Sequence, residues 1–562
     1  MDLATCGGLA ALELAVFRSC IGLSTFQASL SLFLVQYVLC KFYRIVLYPS
    51  YFSPLRHLPG PRDHNLLLGQ EATKFRAATP CSVQLAWMRQ WPDAPFIRYL
   101  SFAGKEILLV NTLAPHKAVL QTHVYDFVKP PFFARLVGEI TGTGLLFAEG
   151  DVHRRERRLL AGPFSVPSMR KLLPVFRAKA KALDGVFERI IGDRPYASLE
   201  AMDILSKSTM ETIGITVLGI ELATLSSRYP LGFQELYSRV LHQSPLGQLI
   251  WIVNAFIPIR KLVPLEANRR FIRANADLRK MLREIIERRA ADLADGTFGR
   301  DVGESRDLLT YMLEEAALRR KATGEEVWAV DDIIGHLLNF TSAGHESTAT
   351  SLAWSLYVLA TDHAIQERLR SEIASLLATN PEPDYEAVSG LPYLHNFVRE
   401  VLRVYPASHM SQRAATRDLV ISGIRIPKGT HLDICIPLSN LHPLTWGGSS
   451  SSSSSSATAF DPARWDRLAG DASTPHAFQT FLQGPRACPG RNFAMAQMKA
   501  VLVELVPRWR FLGIEGGVGG RGGSGELLVG GEERIGRGVK LANPSMTMRP
   551  ADGLYVRFER RV

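Results

Sequence analysis

The sequence predicts a mainly α-helical domain with a smaller β portion, an α+β fold, preceded by one N-terminal transmembrane helix. Three observations carry this. Runs at 168–192, 266–294 and 363–378 repeat apolar residues with a helical period, inside a stretch from about 113 to 380 that is mostly helical in pattern. Short apolar segments around glycine turns, PFIRYLSFAGKEILLV at 96–111 and LVISGIRIPKGTHLDICIPL at 419–438, read as strands. Residues 19–40, SCIGLSTFQASLSLFLVQYVLC, carry no charge. The chain has 562 residues, 46% hydrophobic and 21% charged, a balance that excludes a disordered or fibrous protein.

A run of about 20 residues at 1.5 Å rise spans a bilayer core of about 30 Å. Lys41 and Arg44 follow the apolar run, so the chain beyond it is expected on the cytosolic side. The run is too long for a cleaved leader, and no small-residue cleavage site follows KFYR. The domain plan is then a lumenal or interfacial segment at 1–18 containing ALELAV, an anchor at 19–40, a basic, proline-rich hinge at 41–62, and a catalytic part at 63–562. Pro59, Gly60 and Pro61 cannot sit inside a helix and give a stiff exit from the membrane. The serine tract 449–456 and the glycine-rich stretch 515–531 read as exposed flexible loops without chemistry.

Net charge is +11. The basic residues are scattered apart from Arg154, Arg155, Arg157 and Arg158, and no nucleic-acid motif accompanies them, so nucleic acid is not expected as a partner. The six cysteines, Cys6, Cys20, Cys40, Cys81, Cys435 and Cys488, form no CxxC or CxxH pair. That argues against a zinc site and a disulfide framework, and for a reducing, cytosol-facing compartment.

Phe481 to Gly490, FLQGPRACPG, is the most informative segment. It puts Cys488 in a Gly/Pro-rich loop directly before the helical run NFAMAQMKAVLVELV. A thiolate at a helix N-terminus is stabilised by free N–H groups and the partial positive charge there. Arg486 adds a cation two residues away, and Gly484 and Gly490 allow backbone to approach a large flat ligand. The pattern F-x-x-G-x-R-x-C-x-G, starting at Phe481, resembles the haem-ligand loop of cytochromes P-450, the haem-thiolate monooxygenases. The resemblance implies the fold of that family, haem b as cofactor and Cys488 as axial ligand of the haem iron.

Three further motifs extend the resemblance in the same chain order. Asp331 and Asp332 cap a long helix whose centre, Ala343 to Thr348, resembles the family's A/G-G-x-D/E-T-T/S segment. The glycine and polar residues there are expected to open a local kink. Glu346 with Ser347 or Thr348 would relay protons to the oxygen site, Ser347 standing where the family usually has threonine. His345 has no partner at a metal-ligand spacing and reads as structural. Glu400 and Arg403 share a helix face at i,i+3. With Arg464 they resemble the family's interlocked charge brace, which holds the cysteine loop. His153 and Arg157, with Arg413 and Arg486, resemble the groups that bind the haem propionates.

As a whole the resemblance implies a membrane-anchored monooxygenase of eukaryotic microsomal, fungal type. It would sit in the endoplasmic reticulum membrane with its catalytic domain in the cytosol. Electrons would come from NADPH through an external flavoprotein reductase met by the basic helix around Arg154, Arg155 and Arg158. Its substrate would be a lipophilic small molecule, such as a terpenoid or polyketide in secondary metabolism. Fatty-acid hydroxylation and a reductase-independent haem-thiolate isomerase or dehydratase are the alternatives. Residues 128–148 resemble a substrate-lining loop. Residues 245–265, apolar without a spanning run, could dip into the membrane surface.

Overall fold

The helix Val330–Thr361 runs through the middle of the protein. Most of its side chains are apolar or small, and a helix apolar all round has to be buried. It packs on Ala201–Ile213, His363–Thr379, Pro392–Val404 and Arg491–Leu505. Helix Val166–Ile191, capped by the Ser165 hydroxyl, lies across Arg491–Leu505. This computed structural model describes residues 7–8, 25–77, 79–142, 144–225, 232–241, 243–295, 306–324, 326–447, 455–515, 527–528, 539, 541–542 and 547–561.

The long helices expected at 168–192, 266–294 and 363–378 stand at Val166–Ile191, Glu266–Ala294 and His363–Thr379. The expected hairpin is Phe96–Leu100 with Glu106–Val110, antiparallel. It belongs to a five-stranded sheet that continues through His431–Cys435, Met410–Ala415 and Phe127–Val128. The second expected strand region divides differently. Leu419–Ile421 and Ile424–Ile426 pair as a separate ribbon, and the chain turns into helix Ile436–Asn440, where Pro437 sits in the first turn. A four-stranded antiparallel sheet adds Leu527–Leu528, Trp509–Glu515, Tyr555–Arg560 and Ala197–Glu200 in that order. Ala197–Glu200 falls inside the stretch expected to be mostly helical. Four alternating residues are outweighed there by long flanking helices.

The N-terminal helix Thr25–Phe42 continues as π-helical turns through Tyr43–Phe52. Leu30–Phe52 is long and apolar enough to cross a membrane. This stretch overlaps the expected anchor 19–40 over residues 30–40 and also takes in Lys41 and Arg44. Both residues are good helix formers and extend their charges along the helix surface, so they do not end it. Residues 19–24 and ALELAV lie outside the described residues. The exit from the helix is fastened to the hairpin: Arg98 donates to the Pro49 carbonyl at 2.7 Å and pairs with Glu106 at 2.7 Å, and Ser53 also bonds Glu106 at 2.6 Å. Gly60 is needed here, because a Cβ would stand 1.7 Å from the Arg98 carbonyl oxygen. Most of both low-complexity stretches lies outside the described residues. Leu527 pairs with Glu515, so part of the glycine-rich stretch is strand rather than loop.

Candidate active site

The Cys488 loop is closed by two backbone bonds, from the Cys488 N–H to the Phe481 carbonyl at 2.8 Å and from Ala487 to Gly484 at 3.0 Å. Gly484 has φ +77°, and a Cβ there would lie 2.1 Å from the Leu120 carbonyl oxygen, so only glycine lets the loop lie this close to Leu120. Phe481 is buried edge-on against Phe478. Helix Arg491–Leu505 starts directly after Gly490. Cys488 sits deep among protein atoms, yet its side chain stays accessible, so the sulfur faces an interior recess instead of packing.

Two expectations change at the sulfur. Burial pushes the Cys488 thiol up, and the Gly490 N–H and the Arg157 charge only partly counter it. The cation acting on the sulfur is Arg157, not Arg486. Arg486 turns to the Ala148 carbonyl at 3.0 Å and to the Glu149 carboxylate.

The cations gather around the same recess. Helix Gly150–Leu159 presents His153 and Arg157 one turn apart. His153 is buried and bonded through Nδ1 to the Tyr125 hydroxyl at 3.2 Å. Burial first, then Arg486, Lys129, Arg157 and Arg413, hold its imidazole at about 4, so it is neutral at pH 7. Arg413 is 2% exposed, and burial and Arg486 hold it down at about 10. Burial and Arg413 press the Lys129 ammonium down to about 7, against the pull of Glu149.

Lys129, Arg413 and Arg486 thus share one carboxylate, Glu149, while Arg157 lies beside the sulfur. Buried charge in such excess is costly unless an anion balances it. The buried Arg486 Nε has no hydrogen-bond partner. A thiol facing a recess with three surplus cations and an unused guanidinium N–H fits a flat, dianionic, thiolate-ligated group such as haem. Sequence reasoning missed Lys129, Glu149 and Tyr125. No motif spacing marks them, and the fold alone brings them beside Arg413 and Arg486.

The brace is fully assembled. Arg403 forks onto Glu400 with bonds of 2.9 and 2.7 Å, and both residues are completely buried. Its remaining N–H groups reach the carbonyls of Asn440, Ala457 and Ala459. Arg464 approaches Glu400 at 3.5 Å, and the Asp461 N–H and Trp465 indole also bond that carboxylate. Asn440, which no sequence signal marked, joins the brace to the loop: its amide bonds the Arg403 carbonyl and the Thr480 hydroxyl, and its oxygen takes the Gln479 N–H.

The central helix continues through Ala343–Thr348. The Ser347 hydroxyl bonds back to the Ala343 carbonyl at 2.5 Å, in competition with that turn's own backbone bond. Ala343 is exposed and Ser347 half-buried in a helix otherwise largely buried, which leaves an accessible notch. Thr348 is buried. The Glu346 carboxylate takes a bond from the Thr547 hydroxyl at 2.9 Å and lies 3.8 Å from Arg549. His345 is buried, with Nδ1 3.2 Å from the Thr341 carbonyl, which fits a structural histidine. Asp332 closes the helix start by accepting the Ala329 N–H at 3.0 Å, while Asp331 pairs with Arg283 at 2.6 Å.

Residues 95–517 match the family described as Cytochrome P450, and the chain belongs to it. Among curated relatives, cytochrome P450 monooxygenase sphH of Aspergillus fumigatus is 27% identical over 84% of this chain and 85% of its own length. Cytochrome P450 monooxygenase ALT8 of Alternaria alternata is 28% identical over 91% of each chain. Cytochrome P450 monooxygenase 205 of Postia placenta is 30% identical over 82% of this chain and 86% of its own length. The protein is an enzyme of the P450 monooxygenase class, and the family implies a haem cofactor, a redox partner and a small-molecule substrate.

Proposed function

We propose that this chain is a membrane-anchored haem-thiolate monooxygenase that takes electrons from NADPH through a separate flavoprotein reductase and hydroxylates or epoxidises a lipophilic metabolite. The observation that carries the reading is the accessible Cys488 thiol facing a recess with surplus cations. Haem bound through a thiolate supplies the oxygen chemistry, because the sulfur pushes electron density onto iron and favours O–O cleavage.

The chain's own residues hold and supply that site. Cys488 would bind the haem iron through its sulfur. His153, Arg157, Arg413 and Arg486, joined by Lys129, would hold the propionates, while Phe481 packs the cysteine loop. Glu400, Arg403 and Arg464 fix the loop through Asn440 and Thr480. Glu346, steadied by Thr547, and the Ser347 hydroxyl, after turning from the Ala343 carbonyl, would relay protons to the oxygen site. Serine lacks the methyl group that would restrict that turn. Buried Thr348 is the neighbouring hydroxyl. Exposed Arg154 and Arg158, with Arg155, suit an acidic reductase surface.

The membrane reading rests on the Leu30–Phe52 span together with helix Pro245–Phe256. That helix leaves Leu246, Leu249, Ile252 and Phe256 exposed along one face. An endoplasmic reticulum location with a cytosolic catalytic domain and a terpenoid or polyketide substrate complete the proposal.

The test is expression of the chain with a reductase in a host, followed by metabolite profiling under isotopically labelled dioxygen. A new product carrying one labelled oxygen, formed only with NADPH, is expected, and Glu346→Gln or Ser347→Ala should release more peroxide per NADPH oxidised. Product formation without NADPH and without label would point to a peroxide isomerase.

A further inference from the structure

Two thiols that the proposed reaction does not use meet on one face of the five-stranded sheet. Side chains alternate along strand His431–Cys435. Leu432 and Ile434 join the core around Phe96 and Leu108, while Cys435 lies on the opposite face with Ile97, Tyr99 and Leu109. Helix Ser82–Gln90 covers that face through Trp87 and Met88, and Cys81 stands directly before it. Cys81 holds a left-handed backbone, φ +64°, which few residues other than glycine adopt. Its sulfur lies 3.6 Å from the His409 carbonyl, and the same carbonyl takes the Ile436 N–H at 3.0 Å. That shared acceptor brings Cys81 beside Cys435, and the two thiols are hydrogen-bonded to each other. Both are buried, and both are free thiols.

Two thiols in contact react with an oxidant by closing to a disulfide. The bond to Cys435, and then burial, push the Cys81 thiol well up, while the Lys74 charge only partly counters them, so Cys81 rests protonated. A resting dithiol agrees with a reducing compartment. The surroundings hold the pair in place. The Tyr99 hydroxyl donates to Asp433 at 2.5 Å, the Gln412 amide bonds the other carboxylate oxygen at 3.1 Å, and Lys74 reaches the Tyr99 hydroxyl at 3.2 Å. Strand His431–Cys435 runs straight into helix Ile436–Asn440, whose Asn440 holds Gln479 and Thr480 next to the cysteine loop. A bond from Cys81 to Cys435 would therefore staple the start of the catalytic part to the segment that supports Cys488.

We propose that Cys81 and Cys435 form a modification site for hydrogen peroxide, which joins them reversibly as a disulfide and stiffens the support of the cysteine loop when turnover leaks peroxide. The source of the peroxide rests on the haem-thiolate reading above, and the thiol pair does not. One sulfur gives up its proton and attacks a peroxide oxygen, the O–O bond breaks, and a sulfenic acid and one water result. The second sulfur gives up its proton, attacks the first, and expels its hydroxyl as a second water. The sulfurs together lose two electrons, which the peroxide gains. A thiol held protonated reacts slowly, so brief leakage leaves the pair reduced and sustained leakage closes it. Cellular thiols reopen the bond by exchange.

The test uses full-length haem-loaded protein in two arms. One adds hydrogen peroxide without NADPH, and the other supplies reductase and NADPH with neither substrate nor added peroxide. In both, peptide mapping should find the Cys81 and Cys435 peptides joined, lighter by two hydrogens and separated again by dithiothreitol. Maleimide labelling of both cysteines after unfolding should be lost. The thermal midpoint should rise by several degrees, because the bond closes a long loop, and fall back with dithiothreitol. Cys81→Ser should give neither link nor rise, with basal turnover unchanged, and Cys435→Ala decides should that variant not fold. Both cysteines still labelled after added peroxide, or each oxidised singly without a link, would overturn the modification site. A link without a rise in midpoint would overturn the stiffening. A link with added peroxide but none during NADPH turnover would overturn the haem site as its source. A wild type lacking the thiolate haem spectrum would sink the haem reading instead, and the added-peroxide arm would still judge the pair.

Discussion

Lys129 has the most unusual charge state beside the recess. An ordinary lysine holds its proton to well above pH 10, but here burial and Arg413 bring it to about 7. A carboxylate bound beside it would restore the proton, so haem association should take up a proton above pH 7. Below that the ammonium is already charged and no uptake occurs. Haem affinity is thus expected to fall as pH rises above about 7, by up to about ten-fold per unit, and to lose that slope in Lys129→Met. Haem transfer to apomyoglobin across pH 7–9 measures it, and parallel slopes in the two proteins would remove Lys129 from the site. Single residues divide sharply in how legible they were. Cys488, Glu400 and Arg403 announce themselves by motif, whereas Lys129, Glu149 and Tyr125 acquire meaning only where strands and loops remote in sequence meet. The environment of Arg486 was misjudged for the same reason. Two residues from the sulfur in sequence, it turns toward Glu149.

Among the structural elements, the brace shows how a loop is held rigid without packing its functional atom. Arg403 uses a planar fork on Glu400 and spends its other donors on three carbonyls of two other segments. Lysine keeps the charge and loses the fork. Arg403→Lys should therefore destabilise the protein by about 3–5 kcal/mol, as expected when a buried pair is broken, and leave little haem-loaded protein after expression. Haem content per polypeptide, with thermal unfolding of whatever folds, measures this, and wild-type loading would show that the fork is dispensable. The long helices were readable because their periodicity repeats over many turns. Ala343–Thr348 stays within the continuous helix, with the Ser347 hydroxyl bonded back to the Ala343 carbonyl. The strands Ala197–Glu200 and Tyr555–Arg560 were missed because their pairing partners lie hundreds of residues apart and a four- to six-residue alternation carries little signal.

For the whole molecule, two apolar features are far apart in sequence: the Leu30–Phe52 span and the outward face of Pro245–Phe256. If both meet the bilayer, a chain shortened to begin at Ser53 should still sediment with phospholipid vesicles, and Leu249→Asp with Phe256→Asp should release it. Full release on shortening alone would leave the span as the sole attachment. The N-terminal helix continues past Lys41 and Arg44 until Ser53 ends it with extended backbone. The brace and the cation cluster converge on one sulfur. The most direct test is the absorption spectrum of the dithionite-reduced, carbon-monoxide-treated protein and of Cys488→Ala. Wild type should show the red-shifted Soret band of thiolate-ligated haem, and the variant should lose it. A variant that keeps the band, or a haem-loaded wild type that never shows it, would contradict the assignment of Cys488.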